Sequence, residues 1–315
     1  MKHIINKTEE LPVVSVIVIT CNQDLYKLLK TLDSIVIQEG ISFEVIICDD
    51  GSERKYEQEL KNYFTIRNFN HYSLVFHDNH KGTVSNYLSG LEKALGEYSK
   101  LLSPGDCLTE SHTLEKWARF LKEKNADWAF SDAYYYYDRN EEPNYFRALA
   151  RPQIIRPYTI CDKSKCIWNY IALKDAANGA AIMGKTQTQL YFCRIINEYG
   201  IKYAEDSIYR LMMLYGIVGY YFPETAIQYE FGSGISTSGS IEWKERLAED
   251  RKKLIQIMNN VSNKSDQQKK LVNAYIQNHK TRRIKRMFIK GELLYLIKVH
   301  FYPRLTQIPE NRDGN

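Results

Sequence analysis

Short apolar runs alternate with amphipathic segments along the first part of the chain, and this alternation restricts the fold more than any other feature. Residues 13–20, VVSVIVIT, are rich in β-branched residues and end in the polar CNQD, which is typical of a fully buried strand. Residues 25–38, LYKLLKTLDSIVIQ, place apolar side chains at the spacing of an amphipathic helix. FEVIICDDGS at 43–52 indicates a second buried strand. A strand, a helix and a strand within this length predict a βαβ unit in a parallel sheet, and therefore the α/β class.

The alternation continues further along the chain. Strands are predicted at 72–78, 98–103 and 126–132, and helices at 83–95, 114–124, 185–200 and 205–216. Residues 134–158 are dense in aromatics but poor in periodicity, so we expect a loop-like region there. VGYYFPETAIQYEF at 218–231 favours a bent pair of strands around Pro223, because proline interrupts a strand ladder. From Ile241 to about Asn278 the composition favours helices.

Features of the whole chain limit the class of protein to which it can belong. No apolar run approaches the ~20 residues that a membrane-spanning helix needs, and the opening MKHIINKTEE lacks the apolar centre of a secretory signal. The six cysteines are scattered over the 315 residues without a disulfide framework or the usual zinc spacing. We therefore expect a cytoplasmic globular protein with reduced thiols.

The basic residues are concentrated near the end of the chain. Residues 1–243 hold 26 of the 43 Lys and Arg but 31 of the 38 Asp and Glu, a net charge of −5, so residues 244–315 carry 17 and 7, a net of +10. Apolar residues recur at helical spacing from Ile289 to Phe301 among these cations. The pattern predicts either a helix on an anionic membrane surface or a core-packing helix with a solvated basic face. Nucleic acid is not an expected partner.

Polar residues directly follow three of the predicted strands. Thr20 and Asn22 follow the first, Asp49 and Asp50 the second, and the turn SPGD at 103–106 a later one. Open α/β sheets bind ligands at the carboxyl ends of their strands. These loops therefore predict one shared binding site.

Four segments together resemble glycosyltransferase family 2. They are VSVIVITCNQD, FEVIICDDGS, NHKGTVSNYLSGLEKALGEYSKLLSPGD and AEDSIYRLMM, within a match that runs in order from about Val13 to Ser236. The resemblance implies a GT-A (Rossmann-like) nucleotide-sugar-binding domain with a mostly parallel central sheet at 11–240, followed by a helical, basic C-terminal extension at 241–315. It also implies a hexosyltransferase-like enzyme that takes a sugar from a nucleotide diphosphate.

The resemblance assigns the nucleotide pocket to the strand ends. Asp49 would accept a hydrogen bond from N3–H of uracil, with Asp50 beside it, so a UDP-sugar is the expected donor. Cytosine carries no hydrogen at N3 and is disfavoured, whereas guanine stays open. The alternative is that both acids cap a turn or the next helix. Thr20 and Asn22 would line the pocket, unless they serve ordinary turn chemistry.

The SPGD turn departs from the family pattern at the expected metal site. Most members carry Asp-x-Asp, often followed by a third Asp, which binds Mn²⁺ or Mg²⁺ under the donor diphosphate. Here Ser103 and Gly105 stand at the first two positions, and only Asp106 remains. One carboxylate, diphosphate oxygens and waters can complete an octahedron, so we expect the metal to arrive with the nucleotide. The alternative is that Asp106 caps a helix beginning near Thr109.

Two further segments concern positive charge near the diphosphate, and the second departs from the family pattern. Lys81, in NHKGTV, would contribute a cation there, or else is an ordinary solvated lysine. YEFGSGIS at 229–236 lacks the basic residue and the histidine that many relatives carry. A non-catalytic nucleotide-sugar-binding relative therefore stands as the alternative function.

The expected general base is Asp206. Glu205 and Asp206 lie at the start of a predicted helix, where the helix dipole favours an ionised carboxylate. In the family such a pair supplies the base that removes a proton from the acceptor hydroxyl as it attacks the anomeric carbon, with inversion. Compensation of the helix dipole is the alternative explanation for the two acids.

The acceptor is expected to be a glycan or a lipid-linked oligosaccharide in the synthesis of a bacterial surface polysaccharide such as a capsule. The aromatic segment at 134–158 would lie on the acceptor side, where tyrosines either stack on sugar rings or pack in the protein. A basic tail on the inner membrane face would let a peripheral cytoplasmic enzyme reach such a substrate.

Overall fold

One sheet organises the structure, a computed structural model that describes residues 12–139, 142–146, 152, 154–232, 234–235, 240–262 and 265–280. Its strands are β1 Val14–Thr20, β2 Phe43–Asp49, β3 Tyr72–Phe76, β4 Tyr98–Leu102, β5 Cys107–Leu108, β6 Trp128–Arg139, β7 Glu142–Phe146, β8 Ile182–Lys185 and β9 Tyr220–Glu230. Their order is β3-β2-β1-β4-β8-β6-β9-β5, with β7 paired to β6. Strands β3, β2, β1 and β4 are parallel, as predicted from the βαβ pattern.

Helices cover both faces of this sheet. They are α1 Leu25–Val36, α2 Glu57–Ile66, α3 Thr83–Lys93, α4 Thr113–Glu123, α5 Arg156–Thr159, α6 Lys163–Ile171, α7 Thr186–Glu198, α8 Ser207–Leu214, α9 Ile241–Ser262 and α10 Asp266–Lys280, with a 3-10 turn at Gly179–Ala181. None of the helices within the described ranges is long and apolar enough to cross a membrane.

The alternation of side chains along β1 divides the core between the two faces. Val14, Val16 and Val18 pack in one apolar cluster, and Ile17 and Ile19 pack in the other. All seven residues of this strand are buried, which accounts for its almost continuous apolar sequence. The polar residues that follow β1 are thereby held at the sheet edge where the site lies.

Two sequence predictions about strands were wrong. The segment from Tyr134 is not a loop, because β6 continues to Arg139 and pairs with β7 and β9. Tyr135 and Tyr136 are buried in this strand, so their density reflects packing. The segment around Pro223 is one strand, β9, and the proline is accommodated where its register with β6 shifts after Phe130.

The C-terminal helices share the core of the sheet domain. Leu254, Ile257 and Met258 of α9, together with Val272 and Tyr275 of α10, belong to the apolar cluster that also contains Ile17. Helices α9 and α10 therefore pack with the sheet domain as one body. The predicted division into two domains at residue 240 stays a prediction. Residues 281–315, which include the predicted amphipathic tail, lie outside the described residues.

Candidate functional site

A cavity of about 610 Å³ opens at the carboxyl ends of the parallel strands. Six of the residues predicted from the sequence line it, and they are Thr20, Asn22, Asp50, Ser103, Asp106 and Asp206. Asp49 and Lys81, also predicted, are not among its described lining residues. The sheet topology thus brings together residues that lie up to 186 positions apart in the chain.

Asn22 ties the loops after β1 and β2 together. Its N–H donates to Ser52 Oγ at 2.7 Å, and its Oδ1 accepts from the N–H of Glu53 at 3.0 Å. The residue has a φ of +49°, in the left-handed region that asparagine adopts more readily than most residues. Asn22 therefore has the turn role offered as the alternative, in addition to its place in the cavity wall.

The neighbouring acids Asp49 and Asp50 have different surroundings. Asp49 Oδ1 accepts from the N–H of Ser52 at 2.8 Å, and its Oδ2 accepts from the Ser52 hydroxyl at 2.5 Å. Asp50 lines the cavity, and its two oxygens accept from the N–H groups of Lys81 and Gly82 at 2.7 and 2.8 Å. Both acids therefore have both oxygens hydrogen-bonded. Asp50 differs from Asp49 in lining the cavity, and this position makes it the better candidate to meet a ligand there.

The loop after β3 lies directly against the turn after β2. Gly51 has a φ of +71°, and a Cβ at this position would overlap the backbone of Asn79 and His80. This close approach places His80 Nδ1 2.8 Å from Asp50 Oδ2 and 3.5 Å from Cys21 Sγ. Burial, followed by the charges of Asp50 and Asp49, raises the pKa of Cys21. Three side chains of different chemistry therefore meet at one corner of the cavity.

Asp106 occupies a buried position in the turn after β4. It is 5% exposed, and its Oδ1 accepts from the N–H of Glu230 at 3.1 Å. Burial raises the pKa of Asp106 to about 7, against the opposing effects of this hydrogen bond and the charge of Lys100. Helix α4 begins at Thr113, after strand β5, so Asp106 does not cap a helix and that alternative was wrong.

Lys100, which the sequence analysis did not single out, is fully buried behind this turn. Its ammonium donates to the carbonyl oxygens of Leu101, at 2.8 Å, and Ala180. Burial lowers the pKa of Lys100 to about 7, and the charge of Asp106 opposes that effect. Its position inside an apolar strand, YSKLL, was the available signal, since a lysine in a fully buried strand needs partners.

Glu205 and Asp206 enter the cavity from the start of α8. Asp206 is the N-terminal capping residue of this helix, yet its side chain makes no capping hydrogen bond. Burial and the neighbouring charge of Asp206 raise the pKa of Glu205 to about 8. Compensation of the helix dipole, the alternative explanation for the two acids, needs no such hydrogen bond and stays open. The two acids differ in surroundings although they are adjacent in sequence.

A sequence model described as glycosyl transferase family 2 matches residues 15–176, slightly more than half of the chain. The chain belongs to glycosyltransferase family 2. None of the curated proteins matches it.

Solved structures with this fold are glycosyltransferases of the GT-A type. The fragment 1–349 of TarS from S. aureus aligns with a TM-score of 0.56 at 17% identity, covering 91% of this chain and 78% of that one. The same fragment is also known in complex with UDP-GlcNAc. The mannosyltransferase PcManGT from Pyrobaculum calidifontis, in complex with GDP-Man and Mn²⁺, aligns with a TM-score of 0.56 at 15% identity, covering 94% and 77%. At these identities the likeness shows the fold alone, and it confirms the predicted GT-A class.

The turn after β4 fits a family-type metal only in part. Gly105 has a φ of +101°, and a Cβ there would overlap Oε2 of Glu230, so the second acid of an Asp-x-Asp pattern would require the Glu230 side chain to move. Asp106 offers one carboxylate. Among the described residues, the one group of three His, Cys, Asp or Glu side chains spaced for a metal is Cys21, Asp50 and His80. A divalent ion at Asp106 would therefore need most of its ligands from nucleotide and water.

Helix α9 supplies a cationic side chain, Arg246, that was not predicted from the sequence. Arg246 lines the cavity with Trp243, and its guanidinium lies 4.7 Å from the Trp243 ring centroid and 5.4 Å from that of Tyr203. It also forms an ion pair with Glu242. The predicted loss of positive charge at 229–236 is thus partly offset from another helix. The available signal for this cation was the sequence WKER near the start of α9, where a tryptophan stands close to an arginine. Hydrophobic periodicity alone places these residues on a solvent-exposed face of the helix.

Proposed function

We propose that this family 2 member is an inverting glycosyltransferase that moves a sugar from a UDP-sugar to a glycan hydroxyl. The observation that carries the proposal is the convergence of three acids on one cavity: Asp50 at one wall, Asp106 at the next, and Asp206 at a third. Each suits a different part of the reaction, namely nucleotide recognition, diphosphate neutralisation and proton removal.

Asp50 is the proposed base-reading group. Its carboxylate is fixed by the N–H groups of Lys81 and Gly82, and a carboxylate has lone pairs left for a further donor. The N3–H of uracil or the N–H edge of guanine would meet that requirement, whereas cytosine would not. TarS is known with UDP-GlcNAc and PcManGT with GDP-Man, which supports a nucleotide-sugar donor. Because these two nucleotides differ, the choice of uracil in the proposal rests on the Asp50 carboxylate of this chain.

Asp106 and Arg246 are the proposed diphosphate groups. Asp106 would hold Mn²⁺ or Mg²⁺ once the nucleotide is bound, and the cation would supply positive charge to the leaving diphosphate. Arg246 can bind phosphate oxygens through its planar guanidinium, which Trp243 and Tyr203 hold by stacking. Ser103 would add a hydroxyl at the same wall. Lys81 contributes its backbone N–H to Asp50, while its side chain is exposed.

Asp206 is the proposed general base. It would accept the proton of the acceptor hydroxyl while that oxygen bonds to the anomeric carbon, and the bond from that carbon to the diphosphate oxygen breaks on the opposite face. Burial and the charge of Asp206 raise the pKa of Glu205, which disfavours the ionised form of that neighbour and makes Glu205 the poorer candidate for the base. Attack opposite the leaving group inverts the anomeric configuration.

We further propose that the acceptor belongs to a bacterial surface polysaccharide, and that the protein works at the inner membrane face. Support comes from the basic residues after position 280 and from the likeness of the fold to TarS. Vesicle sedimentation would compare the full chain with one ending at residue 280. The shorter chain should bind anionic vesicles less while keeping activity toward soluble acceptors, because the cavity lining and the described apolar clusters all lie before residue 280.

Transfer of labelled sugar tests the proposed function. A panel of nucleotide sugars would be incubated with the protein, Mn²⁺ and glycan acceptors, and the anomeric configuration of the product would be read by NMR. Transfer from a UDP-sugar with inversion supports the proposal. Retention of configuration would overturn the mechanism.

The second candidate function is nucleotide-sugar binding without transfer. The single carboxylate in the turn after β4 favours it, because Ser103 and Gly105 leave Asp106 as the one acid of the SPGD turn that can bind a metal ion. Saturable nucleotide binding with neither transfer nor hydrolysis across the panel would support this candidate.

A further inference from the structure

One corner of the cavity gathers three side chains that the proposed reaction does not use together. Cys21 follows β1, Asp50 follows β2, and His80 lies in the loop after β3. His80 Nδ1 lies 2.8 Å from Asp50 Oδ2 and 3.5 Å from Cys21 Sγ, and the three donor atoms all lie within 4.8 Å of one another. All three residues line the cavity.

The backbone holds this corner in place. Gly51 permits the close approach of the His80 loop, and the N–H groups of Lys81 and Gly82 bind the two oxygens of Asp50. The side chain of Asp50 is 3% exposed, so it cannot turn freely into solvent. Hydrogen bonds of this kind orient the ligands of protein metal sites and set their basicity.

The second ring nitrogen of His80 is also engaged. Nε2 lies 3.4 Å from the hydroxyl of Tyr203, and the two rings stack with centroids 6.0 Å apart. With the ring proton on Nε2, the lone pair of Nδ1 points to the corner between Cys21 and Asp50. The same arrangement, in which the distal nitrogen of a histidine binds a neighbour, fixes the tautomer of metal-binding histidines.

The set of donor atoms selects the kind of cation. A thiolate, an imidazole and a carboxylate suit Zn²⁺ and related borderline ions, whereas Mg²⁺ prefers an all-oxygen shell. Ligands about 2.0–2.3 Å from a tetrahedral Zn²⁺ lie roughly 3.3–3.7 Å from each other. The 3.5 Å separation of His80 Nδ1 and Cys21 Sγ matches this spacing. The 2.8 Å separation of His80 Nδ1 and Asp50 Oδ2 is shorter, so these two atoms would move apart when the cation binds, and the fourth position would face the cavity.

We propose that Cys21, Asp50 and His80 form a binding site for a Zn²⁺-class cation, distinct from the divalent ion expected at Asp106. Binding replaces the thiol proton of Cys21, which is released to solvent, and moves the ring proton of His80 from Nδ1 to Nε2. Because Asp50 is also the proposed base-reading acid, this cation and the nucleotide compete. That competition rests on the proposed function, whereas the site itself does not.

Titration with Co²⁺ alone tests the site, because a thiolate ligand gives Co²⁺ a charge-transfer absorption in the near ultraviolet. The wild-type protein should bind one Co²⁺ with this band, and Zn²⁺ should remove it. Cys21→Ser should abolish the band, and the matched control Cys161→Ser, at an exposed cysteine, should keep it. His80→Gln should weaken Co²⁺ binding by a factor of ~10 or more. His112→Gln, at an exposed histidine paired with Glu115, should leave it unchanged.

Some results would overturn the site. They are a wild-type protein without the band, a band of equal strength in Cys21→Ser, or unchanged affinity in His80→Gln. The last variant changes a partly exposed side chain, so its folding can be checked by thermal melting. If any of these three results is obtained, the short contact between His80 and Asp50 is a hydrogen bond without a role in metal binding.

Competition is measured separately. Saturating UDP should lower the affinity for Co²⁺, and Co²⁺ should lower the affinity for UDP by the same factor, since coupling is reciprocal. Mn²⁺ at Asp106 should show the opposite sign and raise the affinity for UDP. Independent binding of Co²⁺ and UDP would remove Asp50 from the ligand set. Absence of UDP binding both with and without Mn²⁺ would instead count against the proposed function, and the Co²⁺ band would still report the site.

Discussion

The backbone N–H of Glu230 donates a 3.1 Å hydrogen bond to Oδ1 of Asp106, and so joins strand β9 to the turn after β4. The carboxylate of Glu230 then packs over Gly105 and pairs with Lys27 of α1. Its Oε2 is buried without a hydrogen-bond partner among the described residues. This contact gives a physical reason for the missing acid at position 105, because a side chain there would displace Glu230.

Gly105→Ala should destabilise the fold through this contact. The left-handed φ of +101° alone costs a non-glycine residue about 1–2 kcal/mol, and overlap with Glu230 adds to it. Gly216→Ala is the matched control, since its φ is +81° but nothing lies within 4 Å of the added Cβ. Denaturant unfolding should show a clearly larger loss for Gly105→Ala. Equal losses would mean that Glu230 yields without cost.

Asp106→Asn should change how stability depends on pH. The folded pKa of about 7 lies above the ordinary 3.8, so the folded state binds more protons than the unfolded state between those values. Stability contributed by the protonated acid is therefore lost as pH rises from about 4 to about 7, by at most ~4 kcal/mol at 1.36 kcal/mol per pKa unit. The amide does not ionise and should avoid this loss.

The measurement is thermal unfolding of both proteins at pH 5 and pH 8. The advantage of Asp106→Asn over wild type should grow toward pH 8, while nucleotide-dependent binding of Mn²⁺ is lost. The charge of Asp106 raises the pKa of Lys100, so the measured difference reports the titration of both groups together. A constant difference across the two pH values would show that Asp106 is ionised throughout.

The sequence predicted the parallel strands that form the site edge of the sheet well, and the roles of the individual acids at that edge less well. The parallel strands could be predicted because a fully buried strand such as β1 is almost continuously apolar. The continuation of β6 beyond Asp132 could not, since Tyr135 and Tyr136 give no alternation when both sides of the strand are covered by protein. Within the site, adjacent acids look equivalent in sequence. Only the fold shows that Asp49 accepts hydrogen bonds from Ser52 and that Asp50 lines the cavity.

The contribution of α9 was beyond sequence reasoning for a different reason. Arg246 enters the cavity from a helix that begins only at residue 241, after the segments that carry the family pattern. Its position depends on the packing of Leu254 and Met258 against the sheet domain. Long-range packing of this kind leaves no local signal in a Lys-rich and Glu-rich helix.

Asp50→Asn and Asp49→Asn should separate base recognition from turn capping. Asp50→Asn should lower UDP affinity and reduce the preference for UDP over CDP, because an amide can face a base with either its oxygen or its NH₂ group. Asp49→Asn should lower thermal stability through lost hydrogen bonds to Ser52 but keep the preference. Thermal shift with UDP and CDP measures both effects. The assignment fails if Asp49→Asn alone abolishes the preference.

Arg246→Gln should weaken binding of UDP more than binding of uridine, because its proposed contact is with the diphosphate. A loss of ~10-fold for UDP corresponds to one charge-assisted hydrogen bond. Arg194→Gln is the control, since that surface arginine pairs with Glu92 away from the cavity. Calorimetry with both ligands provides the comparison. Equal losses for UDP and uridine would move Arg246 from the diphosphate to the nucleoside.

Asp206→Asn should leave UDP affinity nearly unchanged and lower kcat for sugar transfer by ~10² or more, the scale of general base catalysis. The amide keeps the shape of the side chain and removes its basicity. An acceptor hydroxyl is a poor nucleophile until its proton begins to leave, so the loss falls on the transition state and spares the bound donor. Glu205→Gln should cost less, because burial and the charge of Asp206 raise the pKa of Glu205 and disfavour the ionised form that a base needs. Turnover at saturating donor and acceptor, with UDP affinity measured beside it, distinguishes the two variants. Wild-type turnover in Asp206→Asn would leave the acid at the helix start without a catalytic role, and a larger loss in Glu205→Gln would transfer the role of base to that residue.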